Sequence, residues 1–93
     1  MDINLNGKNA LVGGSSKGIG KASAIELAAL GANITLLARS VERLEATLAL
    51  LDTSRGQQHD CIAVDFSDQE ALENAVSRAV AQKTYHILIN NTG

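Results

Sequence analysis

The sequence predicts an α/β fold, a doubly wound parallel sheet in which strands and helices alternate along the chain. Short apolar runs of strand length recur between longer segments whose apolar residues are spaced as on one face of a helix. The second of these runs, residues 34–38, is apolar apart from Thr35, as is typical of a parallel strand covered on both faces. The order is therefore βαβαβαβ, and repeated right-handed crossovers bring such strands into one parallel sheet.

The first strand is predicted at residues 10–12, and a glycine-rich loop follows it directly. The loop passes into a helix whose apolar face begins at Ile19 and continues through Leu27 and Leu30. Gly31 follows this helix and supplies a residue for the left-handed position that often ends one. The sequence therefore predicts a strand, a glycine loop and a helix in close succession.

The second strand is predicted at residues 34–38, and Ser40 is placed to cap the helix after it. A polar loop over residues 54–60 leads to a third strand at residues 61–64. Ser67 and Glu70 have the spacing of a capping box, which predicts that the third helix begins there. The fourth strand is predicted at residues 86–90. One apolar stripe of the second helix is formed by Val41, Leu44, Leu48 and Leu51.

The glycine loop has the chemistry of a phosphate site, because glycine lets backbone N–H groups approach an anion and the following helix directs its positive end at it. An NTPase loop is excluded, since Gly20 and Lys21 are followed by Ala22 and not by Ser or Thr. The Gly-x-Gly-x-x-Gly fingerprint also fails, because Ser23 stands at its third glycine. The spacing that fits is Gly-x-x-x-Gly-x-Gly, formed by Gly14, Gly18 and Gly20.

This spacing resembles the cofactor loop of the short-chain dehydrogenase/reductase family. The resemblance implies a Rossmann-type sheet with strand order 3-2-1-4 and a loop that holds the cofactor pyrophosphate. Gly13 stands where the family usually has Thr, which removes one hydroxyl from the loop. An ordinary glycine-rich turn is the alternative for the loop alone. The loop residues assigned to the cofactor are Gly14, Ser15, Ser16, Lys17, Gly18 and Ile19.

The end of the second strand predicts the cofactor. NAD-binding folds of this type place an acidic residue there for the ribose hydroxyls, whereas an arginine nearby accommodates the 2′-phosphate of NADP. Here Arg39 and Ser40 follow Ala38, and Lys17 lies in the glycine loop. Cationic and hydroxyl donors suit a phosphate, so we predict NADP(H). The alternative is that Arg39 and Lys17 are solvated surface charges.

Two further stretches match the family by resemblance. Asp65 and Phe66 follow the third strand, where the resemblance implies that a carboxylate and adjacent backbone groups hold the adenine ring. The residues after Asn90 resemble the family's Asn-Asn-Ala-Gly, which lies against the cofactor ribose. Thr92 replaces the alanine of that motif. The residues assigned there are Asn91, Thr92 and Gly93.

No catalytic residue is assigned. The family's catalytic Ser and Tyr-x-x-x-Lys lie beyond the fourth strand, and Tyr85 is followed four positions later by Ile89. We therefore expect residues 1–93 to be one cofactor-binding unit, the N-terminal part of a longer one-domain enzyme similar to 3-oxoacyl-carrier-protein reductases. Such an enzyme transfers hydride between nicotinamide and a small carbonyl or alcohol substrate, and the 93-residue chain alone is expected to be inactive. The alternatives are a non-catalytic NADP-binding sensor and a plain interaction domain.

Composition excludes several other classes. A net charge of −2 without blocks of like charge argues against nucleic acid and a polybasic membrane anchor. Cys61 is the single cysteine, so no internal disulfide forms, and the chain suits a reducing cytoplasm. Cys61 and His59 are expected to be a strand residue and a solvated loop residue, and no metal ligands are assigned. The fourth strand is expected at a sheet edge, which predicts an oligomer or association with the remainder of its own chain.

Overall fold

A computed structural model describes residues 4–14 and 18–90. Each predicted strand and helix is present. Most strand boundaries differ from the predicted ones by one residue. Strand β3 begins and ends one residue earlier than predicted, and helix α2 ends before Leu51. The elements are β1 (Asn9–Gly13), α1 (Gly18–Ala29), β2 (Asn33–Ala38), α2 (Val41–Leu48), β3 (Asp60–Ala63), α3 (Gln69–Gln82) and β4 (Ile87–Asn90).

The four strands form one parallel sheet in the order β3-β2-β1-β4. This confirms the predicted fold class and strand order. Gly13, the last residue of β1, pairs with Leu37 of β2 and with Asn90 of β4. Ala38 at the end of β2 pairs with Ala63 at the end of β3. The carboxyl ends of all four strands therefore lie along the same edge of the sheet.

The sheet has an apolar core on each face, because alternate side chains of a strand point to opposite sides. On one face, Val12 and Leu36 are buried with Ala24 and Ala28 of α1 and with Leu44 of α2. A second cluster on the other face packs against α3. Its residues are Leu11, Leu37 and Val64, with Ile62, Phe66, Ala71, Leu72, Ala75, Val76 and Tyr85 partly buried around them. Helices α1 and α2 thus cover one face and α3 the other.

The end of α1 is fixed by Gly31, as predicted. Gly31 has a φ of +106°, and its N–H donates to the carbonyl of Ala28 at 2.9 Å. The N–H of Ala32 donates to the carbonyl of Leu27 at 3.1 Å, which completes a Schellman motif. Helix α2 begins as predicted too, since Ser40 is its N-cap and accepts from the N–H of Arg43.

The predicted capping box of the third helix is wrong. The N-cap of α3 is Asp68, whose carboxylate accepts from the N–H of Ala71 at 3.1 Å. Ser67 instead directs both its hydroxyl and its N–H to Asp65. Asx turns of this kind compete with helix caps for the same polar groups, and here the carboxylate of Asp65 takes those of Ser67. The helix therefore begins one residue later than a Ser67 cap would place it.

His59 is a structural residue and not the solvated side chain that the sequence suggested. Its Nδ1 accepts from the N–H of Ile34 at 3.0 Å, and its Nε2 lies 2.8 Å from the carbonyl oxygen of Asp52. A ring that accepts at Nδ1 carries a proton on Nε2, so Nε2 donates to the carbonyl of Asp52. Cys61 lies half-buried in β3, where burial raises the pKa of its thiol.

Strand β4 lies at the edge of the described sheet, as predicted. Leu88 in this strand is 72% exposed, although an apolar residue of an Ile-Leu-Ile run is typical of a covered strand. Leu11 and Leu37 on neighbouring strands are buried in the cluster beneath α3. Helix α3 therefore covers that face over β1 and β2 and leaves Leu88 uncovered.

Gly31→Ala is expected to destabilise the protein more than Gly56→Ala. Both glycines have positive φ, which costs an alanine about 1–2 kcal/mol. A Cβ at Gly31 would in addition collide with the side chain of Asn6, whereas one at Gly56 meets nothing. Asn6 would have to move and lose its 3.3 Å contact with Arg55. Chemical denaturation of both variants measures the difference, and equal losses would contradict the steric argument.

Candidate functional site

The candidate site lies at the carboxyl edge of the sheet, where β1 turns toward α1. Gly14 follows β1 with a φ of +70°, a conformation that glycine adopts without strain. Its N–H donates to the carbonyl of Leu37 at 2.8 Å, which ties the start of the loop to β2. Helix α1 begins at Gly18, so its N-terminal N–H groups lie close to this edge. A helix start after a glycine turn is a favourable place for an anion.

Arg39 and Asp65 meet beside this turn. Arg39 directly follows β2, and Asp65 lies two residues beyond β3. The N–H of Val64 donates to the carbonyl of Ala38 at 2.9 Å, which continues the pairing of the two strands past their ends. Nη2 of Arg39 then donates to Oδ1 of Asp65 at 3.0 Å, with the side chains 73% and 51% exposed. The sequence predicted separate roles for these residues and missed their contact.

Three donors converge on Oδ1 of Asp65. The hydroxyl of Ser67 donates at 2.7 Å, the N–H of Ser67 at 3.0 Å and Nη2 of Arg39 at 3.0 Å. Hydrogen bonds from Ser67, with a further contribution from Arg39, lower the pKa of Asp65 from 3.8 to about 2. Asp65 is therefore ionised throughout the physiological pH range. Ser67 was missed as a site residue, although the Asp-x-Ser spacing is a signal for an Asx turn.

Ser40 and Phe66 flank the ion pair. The Ser40 hydroxyl oxygen accepts from the N–H of Arg43 at 3.4 Å, and no acceptor for its own proton is found in the described part of the chain, so the hydroxyl can donate to a ligand. Phe66 is half-buried and packs on the cluster beneath α3, so its backbone, and not its ring, follows Asp65 along the edge. An apolar cavity of about 180 Å³ beside this ring is lined by residues that include Gly13 and Ile89.

The predicted site residues fall partly inside and partly outside the described ranges. The described residues include the backbone of Gly18 and Ile19 as the start of α1. The remaining predicted residues lie outside the described part of the chain: Ser15, Ser16, Lys17, Asn91, Thr92 and Gly93. The structure thus brings together Gly14, Arg39, Ser40 and Asp65 at one edge.

Tyr85 and His86 lie at the opposite, amino edge of the sheet. The hydroxyl of Tyr85 is 2.8 Å from that of Thr35, and Nδ1 of His86 accepts from the N–H of Asn9 at 3.1 Å. Both side chains hold the starts of strands together. Within residues 4–14 and 18–90, no group of three or more His, Cys, Asp or Glu could hold a metal ion. Over the same residues, no helix is long and apolar enough to cross a membrane.

Parallel βα units, a positive-φ glycine turn into a helix and polar groups on the adjacent strand ends together define a Rossmann-like fold. The family model described as short chain dehydrogenase matches residues 8–93. The chain belongs to the short-chain dehydrogenase family.

Individual relatives agree with this assignment. The chain is 37% identical over 87 residues to the human protein named inactive hydroxysteroid dehydrogenase-like protein 1, a match that covers 94% of this chain and 26% of the relative. Its fold matches L-sorbose reductase from Gluconobacter frateurii, solved with NADPH and L-sorbose, with a TM-score of 0.86 and 39% identity over 100% of this chain and 36% of that one.

A metagenomic short-chain oxidoreductase solved with NADP has a TM-score of 0.83 and 35% identity, over 96% of this chain and 40% of that one. The first curated relatives are matched over 26% to 30% of their length. The chain therefore spans less than a third of those proteins, and the comparisons concern the part that holds the glycine turn.

We expect the Asp65 carboxyl to titrate near pH 2 in the folded protein, below its usual 3.8. Because the folded pKa is lowered, the stability that these contacts contribute is present above pH 3.8 and is lost as the pH falls toward 2. Ser67→Ala should raise this pKa, because it removes the hydroxyl hydrogen bond, which is the largest single cause of the shift, and Arg39→Ala should raise it too. NMR titration of the Asp65 side-chain carbon measures it, and a wild-type value of 3.8 would contradict the described contacts.

Proposed function

We propose that this chain is the cofactor-binding part of an NADP(H)-dependent oxidoreductase. The reaction is hydride transfer between the nicotinamide ring and a carbonyl or alcohol carbon of a small substrate. The single observation that carries the choice of cofactor is Arg39 with Ser40 at the end of β2, where an NAD-specific site would have a carboxylate. The NADPH and NADP complexes of the two solved relatives support this proposal.

The donor set fits a 2′-phosphate. A guanidinium has five N–H donors in a planar fork, and only Nη2 of Arg39 is used in a described contact. With its side chain 73% exposed, Arg39 presents the other donors to a ligand at this edge. The hydroxyl of Ser40 can add a hydrogen bond, and Lys17 is proposed to add a second positive charge from the glycine loop.

Asp65 fits the adenine ring. Within the described part of the chain, every hydrogen bond to this side chain falls on Oδ1. Oδ2 is therefore available to accept from an exocyclic amine, which is the chemistry that the adenine base offers. Backbone groups of Phe66 follow directly along the edge. Adenine and phosphate recognition would thus come from adjacent strand ends.

The cofactor supplies the hydride chemistry when it is bound, and this chain's residues orient it. Because the chain spans 26% to 30% of its first curated relatives, we propose that catalytic residues and the substrate site lie in a further part of the protein. The family's Ser and Tyr-x-x-x-Lys are expected there. An open reading frame that continues well beyond Gly93 would support this arrangement.

A non-catalytic NADP-binding protein is the second candidate. It is favoured by the 37% identity to a human relative whose name describes it as inactive. The two candidates differ in turnover but not in cofactor binding. Oxidation of NADPH by the full-length protein against a panel of carbonyl substrates separates them. Binding without turnover, together with a reading frame that ends at Gly93, would favour the non-catalytic protein. We propose a cytoplasmic location for either.

NADPH should bind the full-length protein more tightly than NADH does, and Arg39→Ala should remove most of the difference. A charge-assisted contact to phosphate is worth about 1.5–3 kcal/mol, or roughly tenfold to over a hundredfold in affinity. Calorimetry of both cofactors measures the ratio. Arg78→Ala is the control, because it removes the same charge from the second half of α3, whereas Asp65 precedes the start of that helix. Equal affinities in the wild type would refute the NADP assignment.

The isolated 93-residue chain is expected to pair with a second copy through β4, because Leu88 is 72% exposed in an edge strand. Leu88→Glu should shift sedimentation at tens of micromolar, a range of about 10–100 μM, toward the monomer. Val80→Glu places the same charge at an exposed apolar site on α3 and should leave the association intact. A wild-type chain that sediments as a monodisperse monomer would contradict this expectation.

A further inference from the structure

Ser67 donates to the same carboxylate oxygen of Asp65 that accepts from Arg39. Two of the three hydrogen bonds on Oδ1 of Asp65 come from Ser67, and the third comes from Arg39. The Ser67 hydroxyl makes the shortest of the three, at 2.7 Å. Neither group of Ser67 has a place in the proposed cofactor contacts, so its effect on a ligand would pass through Asp65.

Arg39 needs such a partner. Its side chain is 73% exposed, and a free arginine side chain loses rotamer entropy when it is held in one conformation. A contact that fixes one N–H lowers the entropy lost when the remaining donors bind a phosphate. An exposed carboxylate would itself be mobile, but two hydrogen bonds from Ser67 fix the rotamer of Asp65. The order of Arg39 therefore depends on Ser67 as well as on Asp65.

We propose that Ser67 is a positioning residue for cofactor selection, which fixes Asp65 so that Oδ1 holds Arg39 for the 2′-phosphate of NADP while Oδ2 is left for the adenine amine. The inference rests on the proposed function, because it needs Arg39 to bind that phosphate. It assigns the discrimination between NADPH and NADH to a three-residue unit, Ser67, Asp65 and Arg39.

A carboxylate at this position has a second effect, which opposes phosphate binding and which the experiment below distinguishes. A carboxylate near a phosphate repels it, and it also competes for the guanidinium. Three donors on one oxygen reduce that repulsion, since each stabilises the negative charge, and Asp65 takes only Nη2 of the guanidinium. If the orientation of Arg39 by Asp65 is the larger effect, loss of the Ser67 hydroxyl weakens NADPH binding. If competition dominates, the same loss strengthens it.

The test compares Ser67→Thr with Ser67→Val in the full-length protein. Threonine and valine have nearly the same shape and the same branching, so the pair differs only in the hydroxyl. Dissociation constants for NADPH and NADH are measured by calorimetry. We expect Ser67→Thr to keep the wild-type ratio and Ser67→Val to lower the NADPH preference about two- to fivefold, the range for one exposed charged contact. Ser77→Ala, an exposed serine of α3, is the control.

A merely structural role for Ser67 would weaken both cofactors equally and leave the ratio unchanged. In an Arg39→Ala background, Ser67→Val should no longer alter the ratio, because the residue that it positions is gone. An unchanged or raised ratio in Ser67→Val, with the ratio lost in Arg39→Ala, would overturn this inference and leave the proposed function standing. A ratio that Arg39→Ala does not change would instead refute the proposed function.

Discussion

Parallel pairing of β1 with both of its neighbours is the constraint on which the rest of the structure depends. In a parallel sheet every strand ends at the same edge, so the register of one pair fixes which loops meet. Gly13 pairs with Leu37 on one side and with Asn90 on the other. The glycine turn after β1 is therefore set between the ends of β2 and β4. Residues that are distant in sequence meet at this edge because the strands bring them there.

The two edges of the sheet differ in how their polar groups are used. At the amino edge, the rings of His59 and His86 each accept a backbone N–H at Nδ1, and Tyr85 meets Thr35. These side chains are engaged within the protein and stabilise the starts of the strands. At the carboxyl edge, Arg39 and the second oxygen of Asp65 are exposed and, among residues 4–14 and 18–90, retain unused hydrogen-bonding capacity. Ligand chemistry is therefore possible at the carboxyl edge, where donors and acceptors remain available.

Local sequence patterns predicted most of the fold. Apolar runs predicted the strands, and Gly31 and Ser40 predicted a helix end and a helix start, because each of these features depends on a few adjacent residues. The cap of α3 was mispredicted, since Ser67 and Asp68 are both good caps and the choice depended on which one Asp65 engaged. The contact between Arg39 and Asp65 spans 26 residues. It follows from the pairing of β2 with β3 and from no local pattern.

Whether a carboxylate at this edge favours NAD or NADP depends on which strand it follows. At the end of β2 it would accept from the ribose hydroxyls and repel a 2′-phosphate, which favours NAD. Asp65 instead follows the neighbouring strand β3, and the guanidinium of Arg39 donates a hydrogen bond to its Oδ1. Under the proposed function, its negative charge orients a cation and does not face the phosphate alone. The same chemical group, moved by one strand, would then favour NADP, and the register of β2 against β3 would itself be part of cofactor selection.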